Sequence, residues 1–336
     1  MIGSRVRSLA TALLTSLVIL FPGVATAASC SVDNVERIVA VGDVHGAYDR
    51  FVEILQTAGV IDDRQRWSGG KTHLVQLGDA VDRGPDSRKV LDLLQRLERE
   101  AQSAGGEVHA LIGNHEVMRL LGDFRYVDEG EYRAFETADS EAIRQRVAQR
   151  LDEKEREPFL KTTPPGSVEM QLAFRPDGEY GKWIRTHDTV VMINGVVFLH
   201  GGISPAVSTL SCEEINETVR RELTTDFEQT QRAPLQSLAA REDGPTWYRG
   251  LAQEPDTFAP AVTDILAKQH ARAIVVAHTV TPTPRIRVRF DGKVFQMDTG
   301  MQPAYVKGGR ASALEIRSGQ FTAIYTDRRD VLVDAK

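Results

Sequence analysis

The chain has 336 residues, of which 41% are apolar and 26% charged, with a formal net charge of −6 and only two cysteines. These values are ordinary for a soluble globular protein long enough to bury a sizeable core. They argue against nucleic acid as a partner and against a thiolate-built zinc site.

The chain opens with Arg5 and Arg7, then the apolar run "LATALLTSLVILF" and the small-residue stretch "PGVATAAS". This order reads as a cleavable signal peptide over 1–28 and predicts a secreted or periplasmic protein. The run is short for a membrane span, and no second one follows, so no stable membrane anchor is expected after cleavage. Without the two arginines the mature chain is two units more negative. Cys30 and Cys212 fit either one disulfide or two unpaired thiols.

From residue 37 short apolar runs alternate with amphipathic stretches. "RIVAVG" predicts a strand, "AYDRFVEILQTAG" a helix stopped by Gly59, and "THLVQLG" a strand. "DSRKVLDLLQRLEREAQSAGG" predicts a helix with Asp86 at its N-cap and Gly105 near its end, and "EVHALIG" a third strand. Residues 122–180 break this rhythm with charged, helix-prone segments and Pro/Gly loops, and read as a helical insertion or cap within one domain spanning 29–336. Beyond it, "VVMI-NG-VVFLH", "IRVRF-DG-KVFQMD" and "ALEIR-SG-QFTAIYT" read as hairpins, with "RAIVVAH" as a further strand. The expected fold class is α/β: two packed mixed β-sheets flanked by helices, with chemistry on loops at strand ends.

Several apolar strands end in polar residues of one chemical kind. The first runs into Gly42-Asp43-Val44-His45-Gly46, the second into "GDAVDRG" with Asp79, and the third into "GNHE" with Asn114. "VVFLHGG" ends at His200 and "IVVAHT" at His278. Carboxylate, imidazole and amide oxygens suit divalent first-row metals. Six such donors are too many for one catalytic ion with open positions but fit two ions sharing a carboxylate, whose usual substrate is a phosphate ester. Arg83 and Arg249 offer guanidinium forks for phosphate oxygens. His115, beside Asn114, is placed to protonate a leaving oxygen, with Asp82 to orient it. Each block alone has an ordinary structural explanation, such as a turn, a capping loop or a surface salt bridge. Five ordered blocks together do not. His73, His109, His187 and His270 lie outside the blocks and read as structural or surface residues.

"GDVHG", "GDAVDRG", "GNHE" and "HGGISP" resemble the signature blocks of the phosphoprotein phosphatase group of calcineurin-like metallophosphoesterases. The longer "GNHEVMRLLGDFRYV" is similar to the bacterial-type Shewanella-like phosphatases. The resemblance implies that Asp43, His45 and Asp79 hold a first metal. Asp79 would bridge to a second, completed by Asn114, His200 and His278. His115 would be the general acid with Asp82 as its orienter, a metal-bridging hydroxide the nucleophile, and Arg83 and Arg249 the phosphate-binding residues. Many metallophosphoesterases carry Gly-His-x-His where this chain has Ala277-His278-Thr279-Val280. That departure favours the phosphoprotein phosphatase group over the nuclease-like diesterases. The expected enzyme is a dinuclear phosphomonoesterase using Mn, Fe or Zn on phosphorylated protein, peptide or a small phosphate ester. The alternative is a dinucleoside-polyphosphate hydrolase or another small-molecule phosphoesterase. A non-catalytic metal-binding module is disfavoured, because it would have no use for His115, Asp82 and Arg83.

Overall fold

The computed structural model describes residues 30–335, so the leader segment expected over 1–28 lies outside the described residues. In chain order the strands are β1 (Ser31–Val32), β2 (Arg37–Val41), β3 (His73–Gln76), β4 (Glu107–Ala110), β5 (Val190–Ile193), β6 (Val196–Leu199), β7 (Ala273–Val276), β8 (Arg287–Arg289), β9 (Val294–Gln296), β10 (Ser312–Arg317), β11 (Gln320–Tyr325) and β12 (Arg329–Val333). They form two six-stranded sheets, ordered β1-β5-β6-β7-β9-β8 and β12-β11-β10-β2-β3-β4. The helices are α1 (Tyr48–Thr57), α2 (Ser87–Ala104), α3 (Asn114–Leu121), α4 (Glu129–Ala134), α5 (Ser140–Arg150), α6 (Glu153–Thr162), α7 (Ser167–Phe174), α8 (Glu179–Arg185), α9 (Cys212–Leu223), α10 (Phe227–Arg232), α11 (Gly250–Gln253) and α12 (Ala259–Lys268).

The apolar strands explain the layering. Successive residues of a strand point to opposite faces. In β2, Ile38 and Ala40 join the core between the sheets, while Val39 and Val41 join the core under the helices. A strand covered on both faces has no polar positions to alternate with, which is why "IVAV" is continuous. The inner layer also takes Val75, Phe198, Val275, Phe295 and Leu314.

The βαβαβ pattern is realised as β2, β3 and β4 pairing in parallel, with α1 and α2 as crossovers. All three expected hairpins form, as β5–β6, β8–β9 and β10–β11. Asn194 and Gly195 both have positive φ, 51° and 70°, as a tight Asn-Gly hairpin turn requires. Between β4 and β5 the chain is wholly helical in its regular elements, from α3 to α8. Cys30 and Cys212 form a disulfide that closes a separation of 182 residues and ties the start of β1 to α9.

The consequence for function is one of direction. β2, β3 and β4 run parallel in one sheet, and β6, β7 and β9 run parallel in the other. Parallel strands deliver their carboxyl-terminal loops to one edge, the usual place for a site in α/β folds.

Candidate active site

Six strand ends meet there. β2 leads to Asp43 and His45, β3 to Asp79, Asp82 and Arg83, and β4 to Asn114 and His115. β6 leads to His200, β7 to His278, and β9 to Asp298. Asp43, His45, Asp79, Asp82, Asn114, His115, His200, His278 and Asp298 are all buried. Arg83 and Arg249 are partly exposed at the rim. All ten residues singled out in the sequence are thus brought together.

Backbone conformation aims these side chains. His45, Asp79, Asp82, Arg83 and His278 have φ of 48°, 54°, 69°, 65° and 63°. Left-handed backbone is costly for residues other than glycine, on the order of 1 kcal/mol each, and clusters at functional sites. Glycines supply the close approach between loops: a Cβ on Gly78 would stand 2.5 Å from the Gly113 nitrogen. Glu116, the last residue of "GNHE", holds the loops in register. Its carboxylate accepts from the backbone N–H of Asp79 (2.7 Å), Ala80 (2.8 Å) and Gly113 (2.9 Å).

The imidazoles reveal what the cluster is built for. His200 Nδ1 faces the Leu77 carbonyl at 2.8 Å, His45 Nδ1 the Val81 carbonyl at 3.0 Å, and His278 Nε2 the Trp247 carbonyl at 3.1 Å. A carbonyl only accepts, so each of these nitrogens carries its ring's proton. The other nitrogen of each ring is bare and points inward. His200 Nε2 is 2.9 Å from Asn114 Oδ1, 3.1 Å from His278 Nδ1 and 3.2 Å from Asp79 Oδ2. His45 Nε2 is 3.6 Å from Asp79 Oδ2 and 3.8 Å from Asp43 Oδ2. These contacts pair acceptor with acceptor. Lone pairs converging in a buried space call for a cation, and the mixture of imidazole, carboxylate and amide oxygen fits divalent first-row metals.

The carboxylates point the same way. Burial, then the Asp298 and Asp79 charges, push Asp43 well above the usual carboxylate range. Burial pushes Asp298 up to about 6. Its Oδ1 accepts from Gly300 N at 3.0 Å, while its buried Oδ2 has no hydrogen-bond partner among the described residues. Asp298 was not singled out in the sequence, although "VFQMDTG" repeats the pattern of an acid just past an apolar strand.

Beside this cluster lies a hydrogen-bonded chain of buried ionisable side chains. His115 Nδ1 is 2.7 Å from Asp82 Oδ2. The second Asp82 oxygen is held by Arg119, which also donates to Glu131 at 2.9 Å. Arg119 lies one helical turn beyond His115 on α3, and Glu131 is on α4. Burial works against an imidazolium at His115, but the Asp79 charge and the Asp82 hydrogen bond outweigh it and raise its pKa. Arg119 and Glu131 are two more residues the sequence left unmarked.

The Arg83 guanidinium is stacked between Tyr126 and Tyr305, 4.4 and 3.8 Å from their ring centres. Its Nε is buried and without an acceptor among the described residues. Arg249 Nη1 donates to the His278 carbonyl at 2.8 Å and to Thr279 Oγ1 at 3.2 Å. A cleft of about 530 Å3 adjoins the site, lined by Met118, Leu121, Tyr126, Leu235 and Trp247 among others.

Two packed mixed sheets with an Asp, His and Asn cluster at their shared edge define the metal-dependent phosphoesterase class of hydrolases. Residues 36–282 match the calcineurin-like phosphoesterase family, and the chain belongs to it. It is 31% identical to Shewanella-like protein phosphatase 2 of Arabidopsis thaliana, over 87% of this chain and 78% of that one. It is 27% identical to Shewanella-like protein phosphatase 1 of Plasmodium berghei, over 80% and 69%. The solved structure of a cold-active protein-tyrosine phosphatase of a psychrophilic Shewanella species superposes with a TM-score of 0.72. That match has 29% identity and covers 91% of this chain and 82% of that one. The protein is therefore a metal-dependent phosphatase.

Proposed function

We propose that this protein is a phosphomonoesterase acting on phosphorylated protein or peptide, with phosphotyrosine the favoured residue. The observation that carries the catalytic reading is the set of bare imidazole nitrogens facing carboxylate and amide oxygens. Asp43, His45 and Asp79 would hold one divalent cation, and Asp79, Asn114, His200 and His278 a second, with Asp298 as a further carboxylate within the cluster. Cations of the manganese, iron or zinc kind bound there supply Lewis acidity to the phosphoryl group and an activated water as nucleophile.

The protein's own groups do the rest. Arg83 and Arg249 bind and orient the phosphoryl oxygens at the rim. Arg83 arrives pre-positioned by the two tyrosine rings, with a free Nε donor to offer. The raised pKa of His115 favours its protonated form, and the ring delivers this proton from Nε2 to the leaving oxygen. Asp82 fixes that tautomer by accepting from Nδ1. The apolar and aromatic lining of the adjoining cleft suits a phenyl ring better than a short serine or threonine stem. The solved relative named as a tyrosine phosphatase supports the same preference.

Residues 122–180 act in this reading as a cap that contributes Asp123, Arg125 and Tyr126 to the cleft wall. We further propose secretion or a periplasmic location, supported by the leader pattern over 1–28 and by a disulfide that needs an oxidising compartment. Amino-terminal sequencing of the mature protein tests this, and an uncleaved leader on cytosolic protein would refute it.

The activity test uses purified protein with added manganese on peptides carrying phosphotyrosine, phosphoserine or phosphothreonine, and on a dinucleoside polyphosphate. The phosphotyrosine peptide should have the highest kcat/KM, with activity abolished by chelator and by Asp79→Asn. Faster hydrolysis of the dinucleoside polyphosphate would overturn the substrate assignment. Unchanged activity of Asp79→Asn would overturn the mechanism.

A further inference from the structure

A second cluster of metal-binding side chains lies at the opposite end of the same sheet. His73 opens β3, and Glu107 and His109 belong to β4. The strands are parallel, with His73 opposite Glu107 and Val75 opposite His109. Alternate residues share a face, so all three project on the side of Val75, toward the layer between the sheets. Asp79 lies six residues further along the chain from His73, about 20 Å away if extended. The cluster is thus separate from the candidate active site.

Its geometry is that of a site for a single ion. His73 Nδ1 is 3.0 Å from His109 Nε2, and Glu107 Oε2 is 3.8 Å from each. The imidazole side chains are 12% and 10% exposed and the carboxylate 54%, so the cluster is enclosed on the protein side and open at its rim. One proton shared between the two ring nitrogens would satisfy their mutual contact. It would leave the Glu107 carboxylate beyond hydrogen-bond reach of both rings. A point equidistant from the three atoms lies about 2.1 Å from each, the bond length of zinc to imidazole nitrogen and carboxylate oxygen. Both rings are largely buried, an environment that disfavours the imidazolium and leaves ring lone pairs for a cation. Calcium and magnesium prefer all-oxygen sites, whereas two imidazoles and a carboxylate suit a zinc-type ion.

We propose that His73, His109 and Glu107 bind one zinc-type divalent cation, with solvent completing its coordination, as a clasp between β3 and the edge strand β4. Those strands carry Asp79 and Asn114 at their far ends, so the clasp secures the frame of the active site without taking part in its chemistry.

The test is metal content after stripping, loading with zinc and gel filtration. Wild type should retain one more zinc per chain than His73→Gln/His109→Gln, whose phosphatase activity serves as its folding control. Glu107→Gln, at the exposed rim, should weaken this zinc at least tenfold. Equal zinc content in wild type and the double variant would overturn the proposal. Asp79→Asn separates this site from the catalytic reading. It should keep the His109-dependent zinc and a zinc-dependent rise in Tm, both lost on adding His109→Gln. A His109-dependent zinc that disappeared in Asp79→Asn would assign the ion to the active site and refute the clasp. Full zinc content in Asp79→Asn would instead refute the catalytic metal reading while leaving the clasp intact.

Discussion

The Asp82 carboxylate reaches His115 Nδ1 at 2.7 Å from a fully buried position. Its other oxygen is held by Arg119, so the imidazole is oriented by a carboxylate that is itself fixed. Burial opposes the Asp82 charge, but Arg119 and then His115 outweigh it and keep this carboxyl below its ordinary value. The carboxylate therefore stays ionised and the ring beside it favours the proton.

This pairing predicts a pH profile. A raised His115 pKa keeps the acid protonated past the ordinary histidine range, and activity falls as pH rises through the raised value. Asp82→Asn removes two of the raising influences, so the alkaline limb should move to lower pH and kcat should drop about 10- to 100-fold. His115→Asn should cost about 100-fold or more on phosphotyrosine peptide. It should cost less on p-nitrophenyl phosphate, whose leaving group needs little protonation. An equal loss on both substrates would count against the acid role.

Arg119 makes a separate prediction about stability. It is buried between Asp82 and Glu131, and its loss leaves two buried carboxylates short of a partner. Arg119→Met should destabilise the fold by roughly 3–5 kcal/mol in urea titration. Glu131→Gln, which keeps a hydrogen-bond acceptor, should cost less than half as much.

Metal removal should make stability strongly pH-dependent. Without cations Asp43 and Asp298 are raised in the folded state, Asp298 to about 6, against about 3.9 in the unfolded chain. The folded apoprotein then binds more protons than the unfolded chain, so its stability is greatest below pH 4 with respect to these groups. It falls as pH climbs through 6, by on the order of 3 kcal/mol for Asp298 alone. Added manganese should restore stability at neutral pH and flatten the profile. Asp298→Asn should reduce the slope of the apoprotein. Thermal melts at several pH values, with and without chelator, read all three effects.

The stacking of Arg83 predicts a KM effect. Tyr126→Ala and Tyr305→Ala each remove one face of the guanidinium sandwich, worth about 1 kcal/mol at a partly exposed site. Each should raise KM several-fold with a smaller change in kcat, and the double variant should approach Arg83→Ala.

The disulfide predicts redox-sensitive stability. Cys30–Cys212 closes a separation of 182 residues, and constraint on so long a loop is worth up to roughly 5 kcal/mol. Cys30→Ser should lower Tm and remove the effect of reductant on the wild-type melt.

The strand ends account for how much of the site was legible beforehand. A buried parallel strand must be apolar on both faces, so a run such as "IVAV" broken by Gly-Asp is visible in the sequence. Asp43, His45, Asp79, Asn114, His200 and His278 each stand just past such a run, and their chemical types already specify a cation site. Asp298 follows the same rule at the end of β9, but in the sequence its strand reads only as one arm of a hairpin and carries none of the signature blocks. Arg119, Glu131, Tyr126 and Tyr305 had no such signal. They matter through contacts between α3, α4 and distant loops, and charged or aromatic residues on helices and loops are usually surface. The Cys30–Cys212 pairing was equally open until the chain was folded.

The amino-acid order thus determined the kind of fold and the kind of site, because local periodicity and residue chemistry carry both. The tertiary structure alone decided which nitrogen of each imidazole faces inward. It also decided that Asp82 is held from both sides, and that His73 and His109, unremarkable in the sequence, meet Glu107 at metal-binding spacing. Those features depend on which carbonyls, guanidinium groups and neighbouring strands lie within 3 to 4 Å of a side chain. Only long-range packing sets those distances.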